Sequence, residues 1–400
     1  MDVIIVSQYL RDIENFDDNN SRFVYLSKLL AENSENKVEI ITSDFNHSTK
    51  KHFSNIGQIS KIKVTALHES GYSKNVSIRR FLSHKGLAKS IGKYLNKRNK
   101  PDVCYCAVPS LDVANTVALY CKKNDVRFII DVQDLWPEAF KMVFNVPILS
   151  SLIFYPMKKK ANKIYELADT VVAVSETYVD RVKEVNKNAN SYAVYLGTEK
   201  ESFDCQADSV VRNNDTFTVA YVGSMSASYN LTSVIDAIAI MKPSIKVKLL
   251  AMGDGALKDS FIRYAKEKRV DAEFTGKLPY FQMVKRLLTC DVAVNPIRKG
   301  SAGSIINKVG DYAMAGLPVV NTQESPEYRD LLAQYSAGIN CECENFYEIA
   351  CALEKLALDP ELRAQMSVNS RNLGTDRFDR KNTYNKLVEE LFSNDVQFVY

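Results

Sequence analysis

The chain repeats one pattern, a short apolar strand followed by a polar loop and a helix, and this pattern begins twice. The first series starts at residues 3–6 and continues with a helical pattern from Phe23 and a strand at residues 38–42. The second series starts at Phe217–Val222 and continues with a helix from Leu231. Short apolar strands that alternate with helices are typical of parallel sheets covered by helices on both faces. The sequence therefore predicts an α/β protein with two Rossmann-like domains.

A polar stretch, residues 198–215, separates the two series and is the predicted linker. It leaves an N-terminal domain at residues 1–197 and a C-terminal domain at residues 216–379. A chain of 400 residues with 46% apolar composition is long enough to form two such cores.

Cysteine and histidine usage indicates a reducing compartment and no metal site. The eight cysteines and four histidines show neither a CxxC pair nor a metal-ligand spacing. The chain begins with a strand pattern and has no basic segment typical of a signal peptide. No window approaches the run of about 18 apolar residues expected of a spanning helix. We therefore expect a cytoplasmic protein.

The N-terminal half carries most of the basic residues. Residues 70–101 contain nine basic residues and no acidic one, within a chain of net charge +4. Lys85, Lys89, Lys93 and Lys97 recur every four residues and would form one stripe on a helix. Such a stripe is either a solvated face or a surface for an anionic partner. An anionic membrane or a lipid diphosphate fits it, whereas nothing resembles a nucleic-acid-binding motif.

An apolar segment between lysines, residues 141–160, has two interpretations. It is too short and too interrupted by polar residues and prolines to span a membrane. It would either lie in the headgroup region with its lysines on phosphates or pack as buried helices of the N-terminal domain.

The stretch SAGSIINKVGDYAMAGLPVV, residues 301–320, carries the predicted ligand site. On a helix, Asn307 and Asp311 share a face, and Lys308 lies about 100° round from Asn307. A diphosphate binds a cation and a helix N-terminus, and ribose hydroxyls bind a carboxylate. A nucleoside diphosphate would satisfy this group, and the alternative is an ordinary solvated helix start. Gly223, in the turn after a strand, would let the backbone approach a phosphate.

The same stretch resembles the signature of the family 4 glycosyltransferases, retaining enzymes of GT-B fold. The motif Asn-Lys-x-x-Asp-Tyr is similar to the motif found in the branch of this family that serves bacterial O-antigen and capsule assembly. The family pattern has two spaced glutamates, and here Asp311 stands at the second and Gly303 at the first. A second segment, DVQDLWPE at residues 131–138, resembles the same branch, with Gln133 in place of an arginine or histidine.

The resemblance implies a GT-B fold with a cleft between the domains and a C-terminal helix, within residues 380–400, that crosses back to the N-terminal domain. It implies Gln133 and Asp134 as catalytic residues, and the less favoured alternative is that Trp136 is core and Asp134 a cap. It implies retention of anomeric configuration. We expect no cofactor and no metal, because Lys308 and backbone amides could neutralise the diphosphate and the sequence has no Asp-x-Asp motif. The predicted donor site comprises Gly223, Ser224, Leu278, Ser304, Asn307, Lys308 and Asp311. The predicted acceptor side comprises Asn20, Arg22, Arg79 and Arg80.

The predicted function is transfer of a sugar from a nucleotide sugar, with UDP favoured, to a lipid-diphosphate-linked saccharide. The expected partners are the nucleotide sugar, the lipid-linked acceptor, an anionic membrane surface and other transferases of the pathway, but not nucleic acid. Two alternatives stay open: a nucleotide-sugar epimerase of GT-B fold, and a non-catalytic nucleotide-binding subunit of a transferase complex.

Overall fold

A computed structural model describes residues 1–10, 12–16, 21–75, 77–141, 147–207, 210, 215–301 and 304–392. The chain divides into two compact units. The N-terminal unit comprises Met1–Val194 together with the C-terminal segment from Tyr384, and the C-terminal unit comprises Tyr195–Thr383.

The N-terminal unit contains a seven-stranded parallel sheet in the order β5-β2-β1-β6-β7-β8-β9. Its strands are β1 (Asp2–Val6), β2 (Lys37–Ser43), β5 (Ile62–Leu67), β6 (Val103–Val108), β7 (Arg127–Val132), β8 (Thr170–Ala173) and β9 (Asn190–Ala193). A small antiparallel hairpin, β3 (Phe45–Asn46) and β4 (Lys51–His52), follows β2. The helices are α1 (Arg22–Glu32), α2 (Ile78–Lys97), α3 (Leu111–Asn124), α4 (Glu138–Lys141), α5 (Pro147–Glu166) and α6 (Glu176–Lys183).

The C-terminal unit contains a six-stranded parallel sheet in the order β12-β11-β10-β13-β14-β15. Its strands are β10 (Phe217–Val222), β11 (Val247–Met252), β12 (Ala272–Gly276), β13 (Val292–Asn295), β14 (Val319–Asn321) and β15 (Gly338–Asn340). Its helices are α7 (Lys200–Ala207), α8 (Leu231–Ile240), α9 (Lys258–Glu267), α10 (Tyr280–Leu287), α11 (Lys308–Met314), α12 (Pro326–Tyr335), α13 (Phe346–Leu358) and α14 (Pro360–Leu373), followed by a π-helical turn (Gly374–Phe378).

The central strands are buried on both faces, which confirms the predicted α/β class. All residues of β6 are buried, as are those of β8 and β13. Parallel strands covered on both sides consist of nearly continuous apolar runs, and this is why their positions could be predicted from the sequence. Helices connect the consecutive strands of each sheet, except that the β3–β4 hairpin connects β2 to β5, and both units are therefore Rossmann-like.

The last helix, α15 (Arg380–Phe392), returns to the N-terminal unit. Tyr384, Leu387 and Leu391 are each 3% exposed or less and belong to the same buried cluster as Val3 of β1. The predicted return of the C-terminal helix is therefore confirmed.

Other stretches differ in detail from the sequence-based expectations. The stretch predicted as a linker contains α7, in which Phe203 and Gln206 are buried. Within the apolar segment, residues 142–146 lie outside the described residues, and α5 continues through Pro156.

Among the described helices, none is both long and apolar enough to cross a membrane. All eight cysteines are free, and Cys205 and Cys351 are exposed.

Candidate functional site

Gly223 and Lys308, both predicted donor-site residues, meet at the carboxyl edge of the C-terminal sheet. Gly223 directly follows β10 and has φ +140°, a conformation that residues with a Cβ rarely adopt. Lys308 is the first residue of α11, and its Nζ lies 2.8 Å from the place that a Cβ on residue 223 would occupy. The space left by the glycine is therefore where the lysine ammonium group lies.

The Lys308 ammonium group is buried, and no described residue gives it a hydrogen bond. The residue is 8% exposed, and its Nζ has no hydrogen-bond partner within the described part of the chain. The ring centroids of Tyr229 and Tyr221 lie 3.8 Å and 4.3 Å from Nζ. Burial lowers the pKa of Lys308 well below its ordinary value, because the two rings do not replace the hydrogen bonds to water that the charged amine loses. An anion at this place would supply the missing partner and hold the lysine charged.

Asp311 lies one turn further along α11 and is half-buried. Its Oδ1 accepts a hydrogen bond of 2.8 Å from the Tyr280 hydroxyl, which also bonds to the Thr198 hydroxyl. Burial raises the pKa of Asp311 to about 6, against the lowering effect of these hydroxyls. The predicted donor site did not include Tyr280, although it included Leu278, two residues earlier in the sequence.

The remaining predicted donor-site residues lie in different environments. Ser224 is exposed, and its carbonyl oxygen accepts a hydrogen bond of 2.6 Å from the Tyr221 hydroxyl. Leu278 is partly buried against the core, and Asn307 is exposed just before α11. Ser304 is buried. Their part in binding a donor stays a prediction.

Three asparagines at strand ends, two of them fully buried, form an amide ladder that sequence reasoning missed. Asn295, Asn321 and Asn340 end β13, β14 and β15 and lie opposite one another in the sheet. Asn295 Nδ2 donates to Asn321 Oδ1 at 2.9 Å, and Asn321 Nδ2 donates to Asn340 Oδ1 at 2.9 Å. Gln323 accepts from Asn295 at 3.2 Å and donates to the Ser304 carbonyl at 2.6 Å. The ladder thus fixes the segment that leads into α11, and asparagines at the ends of consecutive strands were the available signal.

In the N-terminal unit, Arg22 is buried and makes structural contacts, and its predicted part on the acceptor side stays a prediction. Its Nε lies 2.7 Å from Asp131 Oδ2, and the side chains are 3% and 0% exposed. The guanidinium also donates to the Val194 carbonyl at 2.7 Å and the Tyr384 hydroxyl at 3.1 Å. Arg22 therefore joins α1, β7 and α15. The sequence does not reveal this pairing, because it does not give the order of strands or the docking of the last helix.

Gln133 and Asp134 follow β7, as predicted, but both make local contacts. The Gln133 side-chain amide donates to Asp131, and Asp134 Oδ1 accepts the Leu135 N–H at 2.9 Å. Burial raises the pKa of Asp134. Trp136 is 8% exposed and belongs to the core. These contacts agree with the alternative of a core tryptophan and a capping aspartate, and a catalytic role for Gln133 and Asp134 stays a prediction.

Arg80 lies in an aromatic pocket of the N-terminal unit, which we call the Arg80 pocket. Its guanidinium carbon lies 4.8 Å from the ring centroid of Trp136, 5.5 Å from that of Tyr72 and 5.9 Å from that of Tyr9. It donates to the Tyr9 hydroxyl at 3.0 Å and to the Asn75 carbonyl at 2.7 Å. Its Nε is buried and has no hydrogen-bond partner among the residues described.

Two further nitrogen-bearing side chains border the Arg80 pocket. His84 stacks on Trp136 with ring centroids 6.4 Å apart, and burial lowers the pKa of His84 to about 3. Lys50, from the β3–β4 hairpin, lies 4.8 Å from the Tyr72 ring centroid. The pocket therefore gathers donors and cations around a buried guanidinium, a composition that suits an anion with apolar surroundings.

The other predicted positions give less information. Arg79 is exposed on α2. Asn20 and Gly303, which stands at the first acid position of the family pattern, lie outside the described residues.

Residues 203–373 match the family described as glycosyl transferases group 1. The C-terminal unit contains a glycosyl transferases group 1 domain. The group 1 domain includes Gly223, the amide ladder, Lys308 and Asp311, so the predicted donor site lies within the matched segment. This match supports a transferase. No curated protein matches the chain at the level of sequence.

Solved structures similar to the whole chain confirm the predicted GT-B fold. Sucrose-phosphate synthase from Thermosynechococcus elongatus is 13% identical, with 98% of each chain covered and a TM-score of 0.76. Anabaena HepE in complex with UDP is 14% identical, with 98% of this chain and 99% of HepE covered and a TM-score of 0.68. WaaG, a glycosyltransferase involved in lipopolysaccharide biosynthesis, is 12% identical, with 98% and 100% covered and a TM-score of 0.65.

Proposed function

We propose that this protein is a retaining glycosyltransferase that moves a sugar from a UDP-sugar to a lipid-diphosphate-linked saccharide in surface polysaccharide assembly. The observation that carries the proposal is the buried ammonium group of Lys308 beside Gly223, which lacks a hydrogen-bond partner among the described residues and lies inside a glycosyl transferases group 1 domain. A buried cation without a partner is unfavourable in the free protein, and a diphosphate would relieve this cost.

On the donor side, Lys308 would bind the diphosphate, and Asp311 would bind the ribose. Gly223 leaves room for the Lys308 ammonium group, since a Cβ at residue 223 would lie 2.8 Å from Nζ, and a phosphate could then approach the lysine at the glycine backbone. Uracil as the base is supported by the HepE complex with UDP, which shares the fold. The amide ladder would hold the segment before α11, so that Lys308 needs little rearrangement when a donor binds.

On the acceptor side, the N-terminal unit would bind the lipid-linked saccharide. The Arg80 pocket supports an anionic acceptor group, since Arg80 Nε is buried and without a hydrogen-bond partner in the described structure. The anionic oxygens of a lipid diphosphate would bind to Arg80. The aromatic rings of Tyr72 and Trp136 would pack against the lipid or the sugar of the acceptor.

The reaction would proceed without a cofactor or metal. Cleavage of the donor leaves a diphosphate, whose growing negative charge a protonated Lys308 would stabilise. Retention is expected from the family 4 resemblance, and we assign no nucleophile. Gln133 and Asp134 are proposed to position the reacting sugar.

If Asp311 binds the ribose, Asp311→Asn should weaken UDP binding by about tenfold, because a carboxylate acceptor is replaced by a weaker amide. The substitution should leave the affinity for 2′,3′-dideoxy-UDP unchanged, since that analogue has no hydroxyl to donate. Calorimetric titration with both nucleotides measures the difference. Equal losses for the two nucleotides would contradict a ribose contact and indicate a general disturbance of α11.

Membrane attachment is proposed through α2, and the protein would act at the cytoplasmic face of the membrane. Lys85, Lys89, Lys93 and Lys97 are all exposed, as the stripe predicted. The same helix begins with exposed apolar side chains, with Ile78 80% and Leu82 61% exposed. Basic and apolar residues on one exposed helix suit an anionic headgroup layer, at about 1 kcal/mol for each cation near the surface.

In liposome flotation, the protein should bind anionic vesicles and release with rising salt, because charge interactions are screened beyond about 8 Å at physiological ionic strength. Replacing Lys85 and Lys89 by glutamine should reduce the bound fraction. The matched control is replacement of Lys122 and Lys123, two exposed lysines at the end of α3. Equal loss in both variants would mean that net charge alone governs binding.

The function itself is tested by incubating the protein with UDP-sugars and a lipid-diphosphate-linked saccharide. Transfer should require the acceptor, and NMR of the product should show the retained anomeric configuration. Asp134→Asn and Gln133→Ala should lower turnover by about a hundredfold, or roughly 3 kcal/mol, while UDP affinity stays unchanged.

The other outcomes separate the alternatives. Conversion of the donor without acceptor would indicate an epimerase, and nucleotide binding without any turnover would indicate a non-catalytic subunit of a complex with other transferases. An inverted product would contradict retention. Full activity of both variants would leave Gln133 and Asp134 with structural roles alone.

A further inference from the structure

A second cluster of chemically active side chains lies in the N-terminal unit, at the β3–β4 hairpin. Asp44, just before β3, faces two histidines: its Oδ1 lies 3.2 Å from His52 Nδ1, and its Oδ2 lies 2.9 Å from His68 Nδ1. The imidazole rings are stacked, with centroids 5.3 Å apart and planes 15° from parallel. We propose that Asp44, His52 and His68 form a binding site for a divalent transition metal of the zinc type.

The distances are close to those that a metal requires. Zinc binds histidine nitrogen and carboxylate oxygen at about 2.0–2.2 Å in tetrahedral geometry, which sets its ligand atoms roughly 3.3 Å apart. Here the ligand atoms of all three residues lie within 4.8 Å of one another. Small rotations of the two histidine side chains would complete the geometry, and solvent would take the fourth position because both histidines are exposed.

The backbone holds the three ligands in place without a metal. The Asp44 N–H donates to the Leu67 carbonyl at 3.0 Å, beside His68, and the Phe53 N–H donates to the Asp44 carbonyl at 2.9 Å, beside His52. The Asp44 carboxylate also accepts the Glu69 N–H at 2.9 Å. These hydrogen bonds hold the backbone of Asp44 beside the backbone next to His52 and next to His68. A metal would therefore find its three ligands already close together, which lowers the entropic cost of assembling the site.

The donor set selects the metal class. Two imidazoles with one carboxylate suit zinc, nickel, copper or iron, whereas magnesium and calcium prefer oxygen ligands. The metal would join the loop after β2, the end of β4 and the end of β5. It would thereby fasten the hairpin that carries Lys50 to the sheet, and Lys50 borders the Arg80 pocket.

The test uses the full chain without an affinity tag, stripped of metal, in a background where the exposed Cys205 and Cys351 are replaced by serine. Titration with ZnCl2 should show one ion bound per chain, and MgCl2 should show none. His52→Ala and His68→Ala should each weaken zinc binding by more than about tenfold, since losing even an outer partner of a ligand has that effect. The matched control is Lys51→Ala, an exposed neighbour on β4, which should bind zinc normally.

A second readout is amide hydrogen exchange in residues 45–53, which zinc should slow in the wild-type protein and not in the double histidine variant. Both histidines are exposed, so the double variant should keep the fold of the wild type. The proposal would be overturned if the double variant bound zinc as tightly as the wild type, or if the wild type bound none. In either case the cluster would be only a set of polar contacts centred on the Asp44 carboxylate.

Discussion

Replacing Lys308 by methionine should raise the Kd for UDP by about a hundredfold, or roughly 3 kcal/mol, since a charge-assisted contact to a diphosphate is lost in a buried place. Methionine keeps most of the side-chain volume between Tyr221 and Tyr229. It also removes a buried amine that has no hydrogen-bond partner in the described structure, so the variant should be at least as stable as the wild type. Loss of binding with unchanged or raised stability distinguishes a ligand contact from a structural role.

The measurement is calorimetric titration with UDP, accompanied by thermal unfolding of each protein. Lys285→Met on the exposed face of α10 is the matched control and should bind UDP normally. Unchanged UDP affinity in Lys308→Met would remove the proposed donor site.

The same lysine predicts a pH dependence with a definite sign. The pKa of Lys308 is lowered by burial in the free protein, so between this lowered pKa and the ordinary pKa the amine is largely neutral before binding. A bound diphosphate favours the charged form, and the protein should therefore take up a proton when UDP binds. Affinity should fall as pH rises through this range.

Titrations in two buffers with different ionisation enthalpies measure the protons exchanged at one pH. The uptake should be up to one proton for the wild type, and Lys308→Met should lack this contribution. Equal proton exchange in both proteins would show that Lys308 is already charged in the free state, or that it does not meet the diphosphate.

The buried strands and most helices could be predicted because their patterns are local. The apolar runs at β1, β6 and β10 are continuous, and residues such as Pro360 at the start of α14 mark helix ends within a few positions. The β3–β4 hairpin was missed because its strands are two residues long and largely polar. Such strands form through contacts with their surroundings, which no local pattern records.

The candidate site shows the same limit at the level of side chains. The resemblance placed Gly223 and Lys308 in one site, and the structure brings them together. The tyrosine rings around Lys308 and the pairing of Asp311 with Tyr280 were not predicted, because these residues come from separate elements whose spatial order the sequence does not give. Burial also changes the chemistry, since a lysine and an aspartate with shifted pKa values look ordinary in the sequence.

The largest effect on stability is expected at Asp131, which is fully buried and binds Arg22 at 2.7 Å. Asp131→Asn removes the negative charge but keeps the shape and an oxygen that the hydroxyl of Tyr105 can still reach. Arg22 would then be a buried cation without its carboxylate, and breaking a buried pair in this way costs about 3–5 kcal/mol. The N-terminal unit should therefore unfold at a clearly lower denaturant concentration.

Tryptophan fluorescence during denaturant titration is the suitable measurement, because Trp136 is the single tryptophan of the chain and lies in the N-terminal unit. Asp134→Asn is the matched control: the same chemical change in a half-buried carboxylate that accepts a backbone N–H should cost much less. Arg22→Met combined with Asp131→Asn should recover part of the loss, since the uncompensated cation is gone. A loss below about 1 kcal/mol in Asp131→Asn, the level of an exposed ion pair, would mean that water reaches Arg22 and that the pair does not hold α1, β7 and α15 together.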